Sequence, residues 1–199
     1  MSAESVKQIV VSVGVSQKLI PISSFFAYHV DIKHWRLIMM KNLNFPQSYA
    51  KVHLPSKVAM AVTVKPDGNY NLITLEWFMR TSIDPPMFAI SVGHTRYSYE
   101  CLQDTRYFNL VFPGATQRDI LALSGSQSGR DIDKFLAGEV ESFPGKLRKL
   151  PVLKDAAACF ECEVVSQVKS GDHTIFIGEV KHSWMNEDID MFFYPQKTI

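Results

Sequence analysis

The chain has 199 residues, of which 46% are hydrophobic and 12% aromatic, so it can close a hydrophobic core and is not expected to be intrinsically disordered. Its 21 Lys and Arg residues balance 20 Asp and Glu residues, and the resulting net charge of +1 excludes a global field that would hold it on nucleic acid or an anionic membrane. Any anion-binding site must therefore be local.

The sequence carries no signal for membrane insertion or export. No apolar run approaches the roughly 20 residues that a membrane-spanning helix needs. Residues 9–15 are apolar but lack a basic leader and a small-residue cleavage site, so we do not expect a signal peptide. The chain has three cysteines, Cys101, Cys159 and Cys162. Such a small, odd number is more typical of a protein in a reducing compartment than of a secreted protein with disulfide bonds. These features predict a cytoplasmic protein.

The first forty residues differ from the rest of the chain. Residues 20–28 have neither a helical nor a strand period, whereas the pattern becomes clear from residue 58 onward. We therefore treat residues 1–40 as an N-terminal extension of unassigned structure and residues 41–199 as one folded domain.

Six segments are predicted to form β-strands. Residues 58–64 are β-branched and apolar, and the turn sequence Lys65-Pro66-Asp67-Gly68-Asn69 separates them from a second strand at 70–75. Asp84-Pro85-Pro86 interrupts the chain, because proline cannot donate to a strand ladder. The remaining strands are predicted at residues 87–92, 107–112, 158–169 and 174–184. The last two would form a hairpin around Ser170-Gly171-Asp172-His173.

Helical segments are short and lie between the strands. Residues 98–104 and 117–123 are predicted helices, and Thr116 and Asp131 are candidate N-caps for the turns that follow them. Short strands at this spacing with few helices indicate an antiparallel barrel or sandwich.

The best local candidate for an anion site is the segment Gly93-His94-Thr95-Arg96-Tyr97-Ser98, between a predicted strand and a predicted helix. The Arg96 guanidinium can bind an anion through two parallel hydrogen bonds, and the hydroxyls and free amides of the same turn suit a phosphate. Turns with Arg and Ser are also common on ordinary surfaces, so this segment alone favours a plain loop.

Two further segments are weaker candidates. In residues 126–135, Gly129 permits close approach of a ligand to the backbone, and Lys134 can place a positive charge on a carbonyl or an anionic ring. The commoner explanation of such a segment is a solvated loop that caps a helix. His173 lies beside Asp172 in the predicted hairpin turn, where a histidine is more often a surface residue than a ligand.

The sequence gives little support for a metal site, a redox-active cysteine pair or a hydrolase. Cys159 and Cys162 have the spacing of a redox or zinc pair, but residues three apart in a strand point to opposite faces. We therefore expect packed cysteines and no metal site. The sequence also lacks the motifs of serine hydrolases, nucleoside triphosphatases, zinc peptidases and Rossmann dinucleotide-binding proteins.

Six segments in chain order carry a resemblance to a known family. They are Asn71-Leu72-Ile73-Thr74-Leu75-Glu76-Trp77, Asp84-Pro85-Pro86, Arg96-Tyr97-Ser98, Phe108-Asn109-Leu110, residues 128–135 and residues 171–180. Together they resemble the flavin-reductase-like FMN-binding split-barrel family, and within it the flavoredoxin group. The resemblance covers about residues 41–184 and implies an all-β fold with a few short helices: a six-stranded antiparallel Greek-key split β-barrel. It also implies a homodimer with one noncovalently bound FMN near the interface at each of two sites.

The resemblance implies a first group of cofactor-binding residues along the flavin and its side chain. Asn71 and Thr74 would lie along the flavin ring and the ribityl chain. Trp77 would pack near the dimethylbenzene edge, and Arg96 and Ser98 would hold the phosphate or the ribityl end.

A second group completes the implied site. Ser128 belongs to the same cofactor-binding set, and Lys134 and His173 would contact the pyrimidine end, where a positive donor favours the reduced, anionic flavin. The resemblance assigns no nucleophile or other required catalytic side chain, because FMN carries the chemistry, and His173 is the one candidate for a catalytic role.

The function implied is that of an NAD(P)H-dependent flavin reductase, which transfers a hydride from NADH or NADPH to flavin N5. The electrons would then pass to free flavin, to a protein partner such as an oxygenase, or to oxygen. The alternative is a flavoredoxin-like FMN electron-transfer protein without significant NAD(P)H turnover. A third hypothesis is that the protein binds FMN without redox turnover, or that it is a relative with a pyridoxine-type phosphate substrate.

The sequence departs from the family at both ends. Family members start close to residue 41, so residues 1–39 are additional, and Met39 or Met40 is a candidate start. Family members also continue past the final hairpin into a segment whose aromatic side chain approaches the flavin. The candidates for that place are Phe192, Phe193 and Tyr194.

Overall fold

The structure is a computed structural model that describes residues 8–13, 16–21, 42, 44–50, 52 and 56–194. The chain divides into two units, residues 1–43 and residues 44–199. In the first unit, β1 (Gln8–Val13) and β2 (Ser16–Pro21) form an antiparallel pair within the segment that the sequence left unassigned. The end of the aperiodic segment, residues 22–28, lies outside the described residues. The predicted boundary after residue 40 stays a prediction.

Among its described residues, the second unit alternates strands with four short helices. In chain order it contains α1 (Phe45–Tyr49), β3 (Ser56–Lys57), β4 (Ala59–Val64), β5 (Tyr70–Leu75), β6 (Phe78–Ser82), β7 (Met87–Gly93), α2 (Tyr97–Thr105), β8 (Tyr107–Pro113), a 3-10 turn (Ala115–Gln117), α3 (Arg118–Ser126), α4 (Lys134–Ala137), β9 (Ser142–Pro144), β10 (Pro151–Leu153), β11 (Ala156–Ser170), β12 (His173–Met185) and β13 (Phe193–Tyr194). Within the part of the chain that the structure describes, no helix is long and apolar enough to cross a membrane.

Seven of these strands form one antiparallel sheet in the order β5-β4-β8-β11-β12-β7-β6. All six predicted strands belong to it, but the expected count of six is wrong, because β6 is an additional edge strand. No turn residue separates β6 from β5 in the sequence, so the pattern did not reveal it. Glu76 and Trp77 alone connect these two edge strands, which therefore meet at that end and close the sheet into the predicted split barrel.

Both predicted hairpin turns are present and use the expected residues. In the β4–β5 turn, Gly68 has a φ of +84°, and the Asp67 carboxylate accepts a hydrogen bond from the backbone N–H of Asn69 at 2.9 Å. In the β11–β12 turn, Gly171 has a φ of +60°, the left-handed conformation that glycine adopts without strain.

The predicted helices are present, but their predicted caps are wrong. Thr116 lies inside the 3-10 turn, and Asp131 does not cap α4. Asp133 caps α4 instead, because it directly precedes the helix and its carboxylate accepts from the backbone N–H groups of Phe135 and Leu136 at 2.9 and 3.1 Å.

The hydrophobic core consists of two clusters on opposite faces of the sheet. On β4, Met60 and Val62 belong to the first cluster, whereas Ala61 belongs to the second, which explains why this strand is apolar throughout. On β11, Cys159 belongs to the first cluster and Cys162 to the second, as expected for residues three apart in a strand. Both are free thiols, and burial raises the pKa of each.

Candidate functional site

The main candidate site is a cleft of about 390 Å³ that is lined on one side by residues of β5. One wall is the start of α2, residues 95–98, which we call the α2 wall. The other is the end of α3 with the segment that follows it, residues 124–131, which we call the loop wall. The two candidate segments singled out in the sequence, residues 93–98 and 126–135, thus contribute to opposite walls of the cleft. Six predicted site residues line the cleft: Asn71, Thr74, Arg96, Ser98, Ser128 and Lys134.

Asn71 connects β5 to the α2 wall and carries an unpaired acceptor. Its side-chain N–H donates to the Ser98 hydroxyl at 2.8 Å, and the two residues are only 2% and 1% exposed. The side-chain oxygen Oδ1 of Asn71 has no hydrogen-bond partner among the described residues. A Cβ atom on Gly129 would lie 2.0 Å from this oxygen, so only glycine lets the loop wall approach so closely. A buried unpaired acceptor in a cleft is a suitable partner for a ligand hydroxyl or N–H.

Lys134 connects β5 to the loop wall from a buried position. It is 3% exposed, and its ammonium donates to the carbonyl of Leu72 on β5 at 2.8 Å and to that of Ser124 on α3 at 2.9 Å. Burial first, and then the positive charges of Arg96 and Lys65, lower the pKa of Lys134 from its usual 10.5 to about 8. Because an ammonium has three N–H donors, one remains for a ligand.

Thr74 forms a second connection between β5 and α3. Its hydroxyl donates to the carbonyl of Leu121 at 2.7 Å, so its proton is already engaged while its oxygen can still accept. A Cβ atom on Gly125 would lie 3.4 Å from Cβ of Thr74, which is ordinary contact. The hydrogen bonds of Thr74 and Lys134 together fix the loop wall against the edge strand of the sheet.

Positive charge is concentrated at the start of α2. Arg96 is the N-cap residue of α2, is exposed, and makes no ion pair with any described residue. Arg130 reaches from the loop wall to the same helix, where it pairs with Glu100 and lies 5.0 Å above the Tyr97 ring. Two guanidinium groups therefore flank a helix N-terminus, whose N–H groups also favour an anion.

Two predicted site residues, Trp77 and His173, lie beside the cleft rather than in its lining. Their ring centroids are 4.7 Å apart, and Trp77 is half exposed. A Cβ atom on Gly93 would lie 3.3 Å from Nε2 of His173 and 3.7 Å from Cγ of Arg96, so His173 adjoins the α2 wall. Nδ1 of His173 lies 2.6 Å from the Asp172 carboxylate, and this contact lowers the pKa of Asp172.

Gly129 lies in the cleft, as expected for a glycine that lets a ligand approach the backbone. Arg130 was not predicted as a site residue, because an arginine in a polar segment is too common to indicate a site by itself. The C-terminal aromatic candidates lie elsewhere: Phe192 packs against the first core cluster, and Phe193 is half exposed on β13. The Tyr194 side chain is outside the described part of the structure.

The antiparallel barrel thus carries a cleft that brings together a helix N-terminus, two guanidinium groups and a buried ammonium. Residues 52–198 match the model of the family described as flavin reductase like domain. The chain therefore belongs to the flavin-reductase-like family, which confirms the resemblance derived from the sequence motifs.

Curated relatives match part of the chain. An uncharacterized protein of Archaeoglobus fulgidus is 30% identical over 112 residues, which are 56% of this chain and 63% of that protein. The reductase component of a flavin-dependent trigonelline monooxygenase from Acinetobacter baylyi is 25% identical over 125 residues, which are 63% of this chain and 38% of that protein. The chain thus spans less than two thirds of the length of these relatives.

Solved structures share the fold. The FMN-binding protein from Thermus thermophilus with bound 1-cyclohex-2-enone has a TM-score of 0.68 at 26% identity and covers 80% of this chain and 92% of its own. Flavoredoxin from Methanosarcina acetivorans has a TM-score of 0.62 at 25% identity and covers 77% and 76%. Flavin reductase PheA2 in its native state has a TM-score of 0.64 at 26% identity and covers 77% and 94%. These similarities confirm the predicted split-barrel fold.

Proposed function

We propose that the protein binds FMN in the cleft and acts as an NAD(P)H-dependent flavin reductase. The observation that carries the proposal is the convergence of a helix N-terminus, two guanidinium groups, a buried ammonium and an unpaired amide oxygen on one cleft. FMN, when bound, supplies the two-electron chemistry, because its N5 accepts a hydride from the nicotinamide.

The residues of the cleft suit the parts of FMN. Arg96 and the N-terminus of α2 can bind the phosphate, and the Ser98 hydroxyl and the unpaired oxygen of Asn71 can bind ribityl hydroxyls. Gly129 leaves the loop backbone close to the ligand. Lys134 holds a positive charge in a position shielded from water, where it stabilises negative charge on a ligand more strongly than it would in water.

Trp77 and His173 suggest where a second subunit of the proposed homodimer would dock. Trp77 lines an exposed groove of about 270 Å³ together with Met79, Ala89 and Ile175 on the outer face of the sheet. This groove borders the cleft through the Trp77–His173 contact, so a second copy seated on it would complete the site at the subunit interface. A wild type that sediments as a dimer and a Met79→Lys variant that sediments as a monomer are the expected result. A wild type that sediments as a monomer contradicts the dimer.

The proposed electron acceptor is an oxygenase partner, because one relative is the reductase component of a monooxygenase. The alternative function is electron transfer by a retained FMN without rapid NAD(P)H turnover, which the similarity to flavoredoxin favours. The cytoplasmic location stays a prediction.

An absorbance spectrum of the purified protein, recorded after incubation with FMN and removal of unbound flavin, tests the proposal. NADH and then NADPH are added anaerobically in the same cuvette, with free FMN at equal concentration as the control. Flavin bands that either nucleotide bleaches faster than in the control support the reductase. Bands that survive both nucleotides but bleach with dithionite support the electron-transfer alternative. A protein that retains no FMN and also fails to bind added FMN refutes both.

A further inference from the structure

The Glu100–Arg130 ion pair joins the two walls of the cleft. Arg130 belongs to the loop wall, and all three partners of its guanidinium lie on or next to the α2 wall. They are the Glu100 carboxylate, the carbonyl of Thr95 at 3.4 Å and the ring of Tyr97 at 5.0 Å. Arg130 lines the cleft, whereas Glu100 does not. Glu100 therefore holds the guanidinium from outside the cleft.

We propose that this ion pair is a latch from which a phosphorylated ligand takes Arg130, so that Glu100 and Arg130 set the affinity of the cleft for phosphorylated ligands and leave that for neutral ones unchanged. The inference rests on the proposed FMN site and concerns its phosphate end. The guanidinium already lies beside the first turn of α2, where the Thr95 carbonyl and the Tyr97 ring are. A phosphate bound at this turn would lie close to the Arg130 guanidinium.

The exchange of partners is favourable for two reasons. The side chains of Arg130 and Glu100 are 40% and 52% exposed, and exposed ion pairs contribute little to stability, so the latch opens easily. A phosphate monoester carries more negative charge than a carboxylate and matches the guanidinium fork, so it replaces Glu100 as the better partner. A neutral ligand with the same ring offers Arg130 nothing in exchange.

The test compares FMN with riboflavin, which differs from it by the phosphate alone. Fluorescence quenching gives the Kd of each flavin for the wild type, Glu100→Gln, Arg130→Gln and the double variant at low ionic strength. Glu100→Gln is expected to tighten FMN binding about 3- to 10-fold, because it frees Arg130 for the phosphate. Arg130→Gln is expected to weaken FMN binding about 10-fold or more. The Kd of riboflavin should change less than about twofold in either variant, since riboflavin has no phosphate for Arg130 to bind.

The controls distinguish the latch from simple electrostatic repulsion between the Glu100 carboxylate and the phosphate of FMN. Asp104→Asn removes one exposed negative charge from the same face of α2, one turn further from the helix N-terminus than Glu100, which is the residue that pairs with Arg130, and should leave the FMN Kd unchanged. In the Arg130→Gln background, Glu100→Gln should lose most of its effect. An equal effect with and without Arg130, or equal changes for FMN and riboflavin, overturns the latch. A wild type that binds neither flavin overturns the proposed function itself.

Discussion

Replacing Lys134 by Met is expected to change how the stability of the apo protein depends on pH. Methionine keeps an unbranched side chain as far as Cε but removes the ammonium that donates to the carbonyls of Leu72 and Ser124. The pKa of Lys134 is about 8 in the folded protein against its usual 10.5. Below pH 8 the folded and the unfolded chain both hold this proton, and the folded state bears the full unfavourable effect of burying the charge.

Between pH 8 and 10.5 the unfolded chain holds a proton that the folded chain has released. The free energy of unfolding therefore rises with pH, at up to about 1.4 kcal/mol per pH unit. Integrated from pH 7 to pH 9, the contribution of Lys134 grows by roughly 1 to 2 kcal/mol. The neutral amine keeps two N–H groups for its two carbonyl partners, so deprotonation preserves both hydrogen bonds.

Urea unfolding of apo protein at pH 7, 8 and 9, followed by circular dichroism, measures this difference. The free energy of unfolding of the wild type should rise relative to that of Lys134→Met by the stated amount. Lys169→Met is the matched control, because Lys169 is exposed near the tip of the β11–β12 hairpin. A gap between wild type and Lys134→Met that is constant across the three pH values refutes the reasoning, since a solvated ammonium titrates alike in both states.

Two further predictions concern local structure at the cleft. Gly129→Ala should weaken FMN binding at least about 10-fold, because its Cβ would lie 2.0 Å from the Asn71 oxygen and displace it, whereas Gly125→Ala should be tolerated at 3.4 Å from its neighbour. FMN titrations of both variants check this, and equal affinities contradict the close approach. Asp133→Ala should lower the free energy of unfolding by about 1 kcal/mol through loss of a helix cap, and Asp131→Ala by less than about 0.5 kcal/mol. Urea unfolding distinguishes the two, and a larger loss for Asp131→Ala shows that the cap is misassigned.

The sequence by itself determined six of the seven strands of the sheet and two of the hairpin turns between them. Residues 58–64 and 107–112 are apolar runs rich in strand formers, and Gly68 and Gly171 mark the turns, so local chemistry was sufficient. It also placed Cys159 and Cys162 on opposite faces, because the two-residue period of a strand is a local property. The ordered motifs further indicated the family, which the match over residues 52–198 confirmed.

The tertiary structure decided how those elements meet. It placed segments 93–98 and 126–135 on facing walls of one cleft, although nothing in either segment records its distance from the other. It added β6, an edge strand that pairs with β7 across the connection at residues 83–86. It also brought the Lys134 ammonium within hydrogen-bond distance of two backbone carbonyls on other elements, those of Leu72 and Ser124. Periodicity and turn chemistry are encoded within a few neighbouring residues, whereas strand order, side-chain partners and cleft walls arise from contacts between residues far apart in the chain.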